Sequence, residues 1–125
     1  MRRLFGSALT VFASVLPVQQ VNSLPLPNIN QGELYRDLRT ELIDLGWQPL
    51  SFAPGNEFDV PRNEIMRVEG WGEVEACSGT GLGFCLFTFE DGRGNRLSIT
   101  TVNNSLGFPV AKRHTIWGWR YEPVN

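Results

Sequence analysis

FCLFTFEDGRGNRLSITTV, residues 84–102, predicts a β-hairpin. Two strand-like runs, Phe84–Glu90 and Arg96–Val102, flank Asp91–Asn95, a polar connection with glycines where a tight turn needs positive φ. Runs of this length, rich in aromatic and β-branched residues with period-two alternation, are typical of strands. The stretch therefore predicts two neighbouring strands of an antiparallel sheet.

Further strands are predicted on both sides of this hairpin. Thr115–Glu122 is a last strand, and Met66–Ala76 alternates less regularly, with glycines that favour a bulge. Trp47–Leu50 can begin an edge strand. The intervening Ser51–Arg62 is rich in Pro, Gly and Asn, so it is expected to be a surface loop that apolar residues, among them Phe58, tack to the body.

One amphipathic helix is predicted over Gln31–Leu45, before the strands. The apolar residues that form its buried stripe are Leu34, Leu38, Leu42 and Leu45. Asn30 fits an N-cap with Glu33 as its capping-box partner, and Gly46 fits the left-handed residue that ends a helix. The charged residues on the other faces are expected to be solvated.

These elements predict an α+β fold of two layers, with one N-terminal amphipathic helix packed on a four- to five-stranded antiparallel sheet. The sheet must cover one face, and the leucine stripe of the helix is suited to cover it. Residues 31–125 are expected to form a single α+β domain.

The first 23 residues predict a secretory signal peptide. Arg2 and Arg3 are a basic start, Leu4–Leu16 is apolar but too short to span a bilayer, and Ser23 is a small residue at the expected cleavage point. Residues 24–30, with two prolines, then read as an extended leader. The mature chain is expected in the periplasm or outside the cell, without stable membrane insertion.

The charge of the mature chain argues against nucleic acid as a partner. Removal of Arg2 and Arg3 leaves nine basic against thirteen acidic residues, a net charge of −4, with Lys112 as the only lysine. Phosphate contacts need clustered Lys and Arg. No nucleic acid and no anionic membrane surface is therefore expected to bind.

The only two cysteines, Cys77 and Cys85, flank the glycine-rich SGTGLGF. A hairpin turn at these glycines brings both side chains within reach of a disulfide, and two cysteines in an exported protein normally pair. A metal site or a catalytic thiol would need further ligands or a base, and His114 is the only histidine. A phosphate loop would need a helix after the glycines, where a strand is predicted. We therefore predict a disulfide, no metal and no cofactor.

Two acidic pairs could serve a hydrolase, provided that each is held in a cleft. Glu73 and Glu75 share a strand face by alternation, and Glu57 and Asp59 share a loop. No cleft is evident from the sequence, and solvated acids are far commoner. No catalytic residue is therefore assigned.

The aromatic side chains of Trp117, Trp119 and Tyr121 share one side of the last strand by alternation. Facing the helix, they would be part of the core, as large aromatics on one strand face usually are. Facing solvent, they would form a strip suited to stacking on a sugar or a peptide. They are the candidate binding surface.

The sequence resembles a group of small uncharacterised exported bacterial proteins. The resemblance rests on a signal peptide, a helix that ends in LGWQP, CSGTG followed by FC, and a DGRGN-like hairpin. It covers most of the mature chain and implies export, the disulfide and the fold. It implies no activity.

The function predicted from these observations is that of a non-enzymatic periplasmic or secreted domain that binds a protein, peptide or glycan. The alternative is a small secreted hydrolase or an inhibitor-like protein that uses the acidic pairs. A cleft with converging carboxylates would favour the enzyme, whereas an open aromatic strip would favour the binding domain.

Overall fold

The computed structural model describes residues 24–103 and 113–124, so the predicted signal peptide lies outside the described residues. The helices and strands are α1 (Tyr35–Asp44), β1 (Gln48–Pro49), α2 (Val60–Glu64), a π-helix (Ile65–Glu69), β2 (Val74–Cys77), β3 (Phe84–Glu90), β4 (Arg96–Val102) and β5 (Thr115–Glu122). The bounds of β3, β4 and β5 are those predicted from the sequence.

The strands form one antiparallel sheet of five strands within the described ranges. β3, β4 and β5 are consecutive neighbours, with Phe84 opposite Val102 and Glu90 opposite Arg96. β1 and β2 both pair with the other edge of β3, one after the other along its length. The predicted α+β class with an antiparallel sheet is confirmed.

The core lies between α1 and one face of this sheet. Tyr35, Leu38 and Leu42 are the buried residues of α1. The Tyr35 ring stacks on Phe87 with 4.0 Å between the ring centroids. The remaining buried apolar residues of this cluster are Trp47, Ile65, Trp71, Val74, Cys85, Phe89, Leu97, Ile99 and Ile116.

The helix α1 is shorter than the predicted Gln31–Leu45, and a second, five-residue helix, α2, follows it. Leu34 is extended and forms a β-bridge with Thr115, which prevents it from joining the helix. The predicted Asn30–Glu33 interaction exists, since Asn30 donates to both Glu33 carboxylate oxygens, but it precedes the helix and does not cap it. The prediction of one long N-terminal amphipathic helix is therefore wrong in length and in number.

The C-terminal end of α1 is as predicted. Gly46 has φ +106°, and its N–H donates to the Ile43 carbonyl at 3.0 Å. The Trp47 N–H reaches the Leu42 carbonyl at 3.0 Å, which completes a Schellman motif. The side chain of Trp47 folds back into the core and is buried.

The segment between β1 and β2 differs from the prediction. α2 and the π-helix occupy residues 60–69, where a loop and the start of a strand were expected, and β2 begins only at Val74. The buried Arg62 side chain donates to the Val74 carbonyl at 2.8 Å and to the Ala53 carbonyl at 2.5 Å, which ties this segment to β2. Phe58 does not tack the loop to the body, since it is 84% exposed.

The leader over residues 24–30 is without regular secondary structure and lies against the domain. The Trp47 indole N–H donates to the Pro25 carbonyl at 3.0 Å, and Leu24 and Ile29 pack against the core. No helix in the described ranges has the length and apolar character needed to cross a membrane.

Candidate functional site

Within the described ranges, the outer side of β5 is an open sheet edge along most of its length. β4 pairs with its inner side. On the outer side, the Gly32 N–H donates to the Ile116 carbonyl, and the Ile116 N–H donates to the Glu33 carbonyl, both at 2.8 Å. Among residues 24–103 and 113–124, none pairs with that side beyond Ile116. Residues 117–122 therefore present backbone groups to which an extended chain can bind.

A β-bulge at Trp117 breaks the alternation that was predicted for β5. Thr101 lies opposite Ile116 and Thr100 lies opposite Gly118, so Trp117 is an extra residue. Trp119 lies opposite Ile99, which places it on the face that α1 covers. The prediction that the three rings share one side is therefore wrong.

The bulge places Trp117 on the other face of the sheet. The centroid of its ring is 5.5 Å from the centroid of the Phe84 ring. Phe84 directly precedes the buried Cys85 in β3, so their side chains point to opposite faces of the sheet. Trp117 is 49% exposed and Trp119 is 46% exposed. One half-exposed tryptophan thus flanks the open edge on each face.

Tyr121 belongs to the core rather than to the open surface. It lies opposite Leu97 and packs edge-on against Trp47, with 6.3 Å between the ring centroids. Arg120 and Glu122, with side chains 75% and 50% exposed, interact at 3.4 Å. The open edge is thus bordered by two tryptophans and one solvated charge pair.

The cysteines form the predicted disulfide. Cys77 and Cys85 are directly opposite each other in β2 and β3, with 4.1 Å between their Cα atoms. Both sulfur atoms are used in this bond, so neither thiol is free to bind a metal or act as a nucleophile. The described residues contain no group of three or more His, Cys, Asp or Glu that could hold a metal ion.

Glu73 and Glu75 do not form a pair of acids in a common cleft. Glu73 is buried against α1, whereas Glu75 accepts a hydrogen bond from the Thr88 hydroxyl at 2.7 Å. A bulge between Val74 and Ala76 separates the two carboxylates, so the predicted alternation fails here too. The second pair is also divided, because Asp59 interacts with Arg62 at 3.7 Å while Glu57 is exposed.

Glu73 is instead the centre of a buried polar cluster. The Tyr35 hydroxyl donates to Glu73 Oε2 at 2.7 Å, and Arg39 donates Nε to Oε2 at 2.5 Å and Nη2 to Oε1 at 3.3 Å. The Arg39 guanidinium lies 6.0 Å from the centroid of the Trp71 ring. From the sequence, Glu73 and Arg39 are both expected to be solvated, and their separation along the chain gives no signal of this contact.

Tyr35 and Arg39, the two donors to Glu73, both have a raised pKa. Burial, the charge of Glu73 and its hydrogen bond raise the pKa of the Tyr35 hydroxyl well above its usual value. Burial opposes the charge on Arg39, but the hydrogen bond and charge of Glu73 outweigh it and raise the pKa of the guanidinium. This cluster joins α1 to the sheet and is suited to stability rather than to proton transfer.

His114, which lies just before β5, is buried. Its backbone has φ +63°, and its carbonyl accepts the Tyr35 N–H at 2.8 Å. The imidazole lies edge-on to Trp71 and Phe87. Burial first, and the charge of Arg113 second, lower the pKa of the imidazole to about 4, against the opposing effect of Glu64.

Comparisons with known proteins give no match to this chain among family models, curated proteins or solved structures. The resemblance to small exported bacterial proteins therefore stays a prediction.

Proposed function

We propose that this protein is an exported, disulfide-linked binding domain that takes up an extended segment of a partner protein along the open edge of β5. The binding is non-enzymatic. The observation that carries the proposal is that no described residue pairs with the outer side of residues 117–122, which has a half-exposed tryptophan on each face.

The edge offers the backbone groups that strand addition requires. A peptide strand added to a sheet edge gains affinity from main-chain hydrogen bonds and specificity from alternate side chains. The protein's own chain uses this edge at Ile116, where Gly32 and Glu33 pair with it. A partner strand would continue from that point towards Glu122.

The tryptophans supply apolar contact on both faces of an added strand. Successive side chains of a strand point to opposite faces, so one set would meet Trp117 and the other Trp119. Tryptophan is the residue type most enriched among those that dominate binding energy. The separation of the two rings by the sheet favours a peptide over a glycan, because the rings do not form one platform for a sugar.

The disulfide supports the exported location in this proposal. Disulfides persist in oxidising compartments and are rare in the reducing cytosol. The signal-like start, Arg2, Arg3 and the apolar run after them, points in the same direction.

The experiment is selection of a random peptide library on the purified, oxidised protein, followed by titration of individual synthetic peptides. Peptides that bind along an edge lose affinity when alternate backbone nitrogens are methylated, because only alternate N–H groups face the sheet. Methylation of the intervening nitrogens should have much less effect. An equal response at all positions would contradict strand addition.

Substitution of the two tryptophans tests whether the selected peptides bind at this edge. Trp119→Ala and Trp117→Ala should each weaken a selected peptide by about 2 kcal/mol, roughly 30-fold in Kd. Phe58→Ala is the matched control, since Phe58 is an aromatic residue that is 84% exposed and does not belong to β5. Self-association that Trp119→Ala abolishes, without peptide binding, would instead identify a second copy of the chain as the occupant and refute the proposal.

A further inference from the structure

A small cleft lies between the π-helix and the neighbouring ends of β4 and β5. It has a volume of about 20 Å³ and is partly open to solvent. Ile65 and Glu64 line one side, and Asn103, Arg113 and His114 line the other. This cleft does not contain any residue of the proposed peptide-binding edge.

Buried polar atoms without a hydrogen-bond partner are concentrated at this cleft. In the described part of the chain, four buried side-chain atoms lack a partner, and three of them belong to residues that line it: Asn103 Oδ1, Arg113 Nε and His114 Nδ1. His114 is only 4% exposed. Such groups are uncommon in proteins, because a buried polar atom without a partner costs free energy, and each one calls for an explanation such as a bound molecule.

The local backbone also has features that are enriched at functional sites. His114 is held at φ +63°, a left-handed conformation that costs a residue other than glycine free energy. The opposite side of the cleft is a π-helix, Ile65–Glu69, and π-helical turns occur frequently at functional sites.

The three atoms define the chemistry of the group that binds. Arg113 Nε–H is a donor and Asn103 Oδ1 is an acceptor. In the tautomer of the neutral His114 imidazole that carries its proton on Nε2, Nδ1 is a second acceptor. An anion would meet the carboxylates of Glu64 and Glu69, and a cation would meet Arg113. A neutral group with one acceptor and two N–H donors satisfies all three.

We infer that this cleft binds a primary carboxamide. The amide oxygen accepts from Arg113, and the two N–H groups donate to Asn103 and His114. The volume of about 20 Å³ limits what enters the cleft to a small terminal group, so the rest of the ligand lies outside. The amide belongs either to a small free molecule or to a Gln or Asn side chain of a peptide, and both carry the same chemistry.

The test is an NMR titration of the oxidised, ¹⁵N-labelled protein with four probes. These are propionamide, N,N-dimethylpropionamide, propionate and the peptide acetyl-Ala-Gln-Ala-N-methylamide. Propionamide should shift the signals of Asn103, Arg113 and His114, whereas the dimethylated amide, which has no N–H donors, and propionate should not. Tighter binding of the peptide would identify a side chain as the ligand, and tighter binding of propionamide would identify a free amide; both support the inference.

Substitutions at Asn103 test the assigned contact. Asn103→Leu should weaken the amide about tenfold, because one amide N–H loses its acceptor. Asn103→Asp retains an acceptor oxygen and should retain binding, which keeps the test valid even where the leucine variant is unfolded. Preferential binding of propionate, or no shift with either amide-bearing probe, would overturn the inference.

Discussion

Removal of the Glu73 charge should destabilise the fold strongly, because this carboxylate is buried with two donors. Glu73 has a side chain only 1% exposed, whereas that of Arg39 is 24% exposed. Breaking a buried ion pair by loss of one partner costs about 3–5 kcal/mol. Since Arg39 retains some access to water, we expect Glu73→Gln to lower the free energy of unfolding by about 2–3 kcal/mol.

The destabilisation caused by loss of the Glu73 cluster can be divided between the Tyr35 hydrogen bond and the charge pair with Arg39. Glu73→Leu also deprives the Tyr35 hydroxyl of its acceptor, which adds about 1–2 kcal/mol. Combining Glu73→Leu with Arg39→Met removes both charges, and apolar replacement of a whole buried pair is often close to neutral. The double variant should therefore be more stable than Glu73→Leu alone, with a coupling free energy of about 2 kcal/mol.

Urea unfolding followed by tryptophan fluorescence measures these differences, since Trp47 and Trp71 are buried in the core. Glu41→Gln is the matched control, because Glu41 lies on the exposed side of α1. Its effect should stay below about 0.5 kcal/mol. Equal stability of Glu73→Gln and the native protein, or the absence of coupling with Arg39, would refute the assigned role.

Two further predictions concern the disulfide and His114. The Cys77–Cys85 disulfide closes a short loop, with a sequence separation of 8, so the free energy of unfolding of Cys85→Ala in urea should be lower by about 2.5 kcal/mol. Unchanged stability would contradict the chain-entropy argument. His114 is neutral in the fold down to about pH 4, whereas an unfolded histidine takes up a proton near pH 6.5. The unfolded state therefore binds more protons between these values, and stability should fall by about 2 kcal/mol from pH 7 to pH 5 through this group. His114→Asn, which tolerates the positive φ, should lack that part of the pH dependence, and an identical pH profile would show that His114 does not cause it.

Much of the sheet could be predicted from short-range patterns. β3, β4 and β5 have the predicted bounds because alternation and the turn glycines act within a few residues. Gly92 and Gly94 have the expected positive φ. The disulfide could also be predicted from the sequence, since two cysteines around a glycine-rich turn become cross-strand neighbours once the hairpin forms.

The secondary structure of the segment before β2 could not be predicted from short-range patterns. Met66 and Val68 fit an alternating strand as well as they fit a helix, because a short apolar run is ambiguous between the two. Arg62 decides between them, since its donors reach the Val74 and Ala53 carbonyls. Those contacts exist only after the segment has folded back on β2.

The candidate site also combines features that the sequence predicts with features that only long-range contacts set. The three aromatic residues of β5 were found from the sequence, but the bulge that divides Trp117 from Trp119 comes from the pairing of β5 with β4. Burial of Glu73 and His114 likewise depends on partners distant along the chain, Arg39 for one and Trp71 for the other.

By itself, the sequence determined the strands β3, β4 and β5, the end of α1 at Gly46 and the cysteine pair, because interactions between residues close along the chain form them. Only the tertiary structure decided where α1 begins, which acid is buried and which faces the tryptophans occupy. Leu34 leaves the helix for a bridge to Thr115, a residue far along the chain, and Glu73 is buried because Tyr35 and Arg39 supply its hydrogen bonds. Such long-range contacts compete with local preference, and no short window of sequence contains both partners.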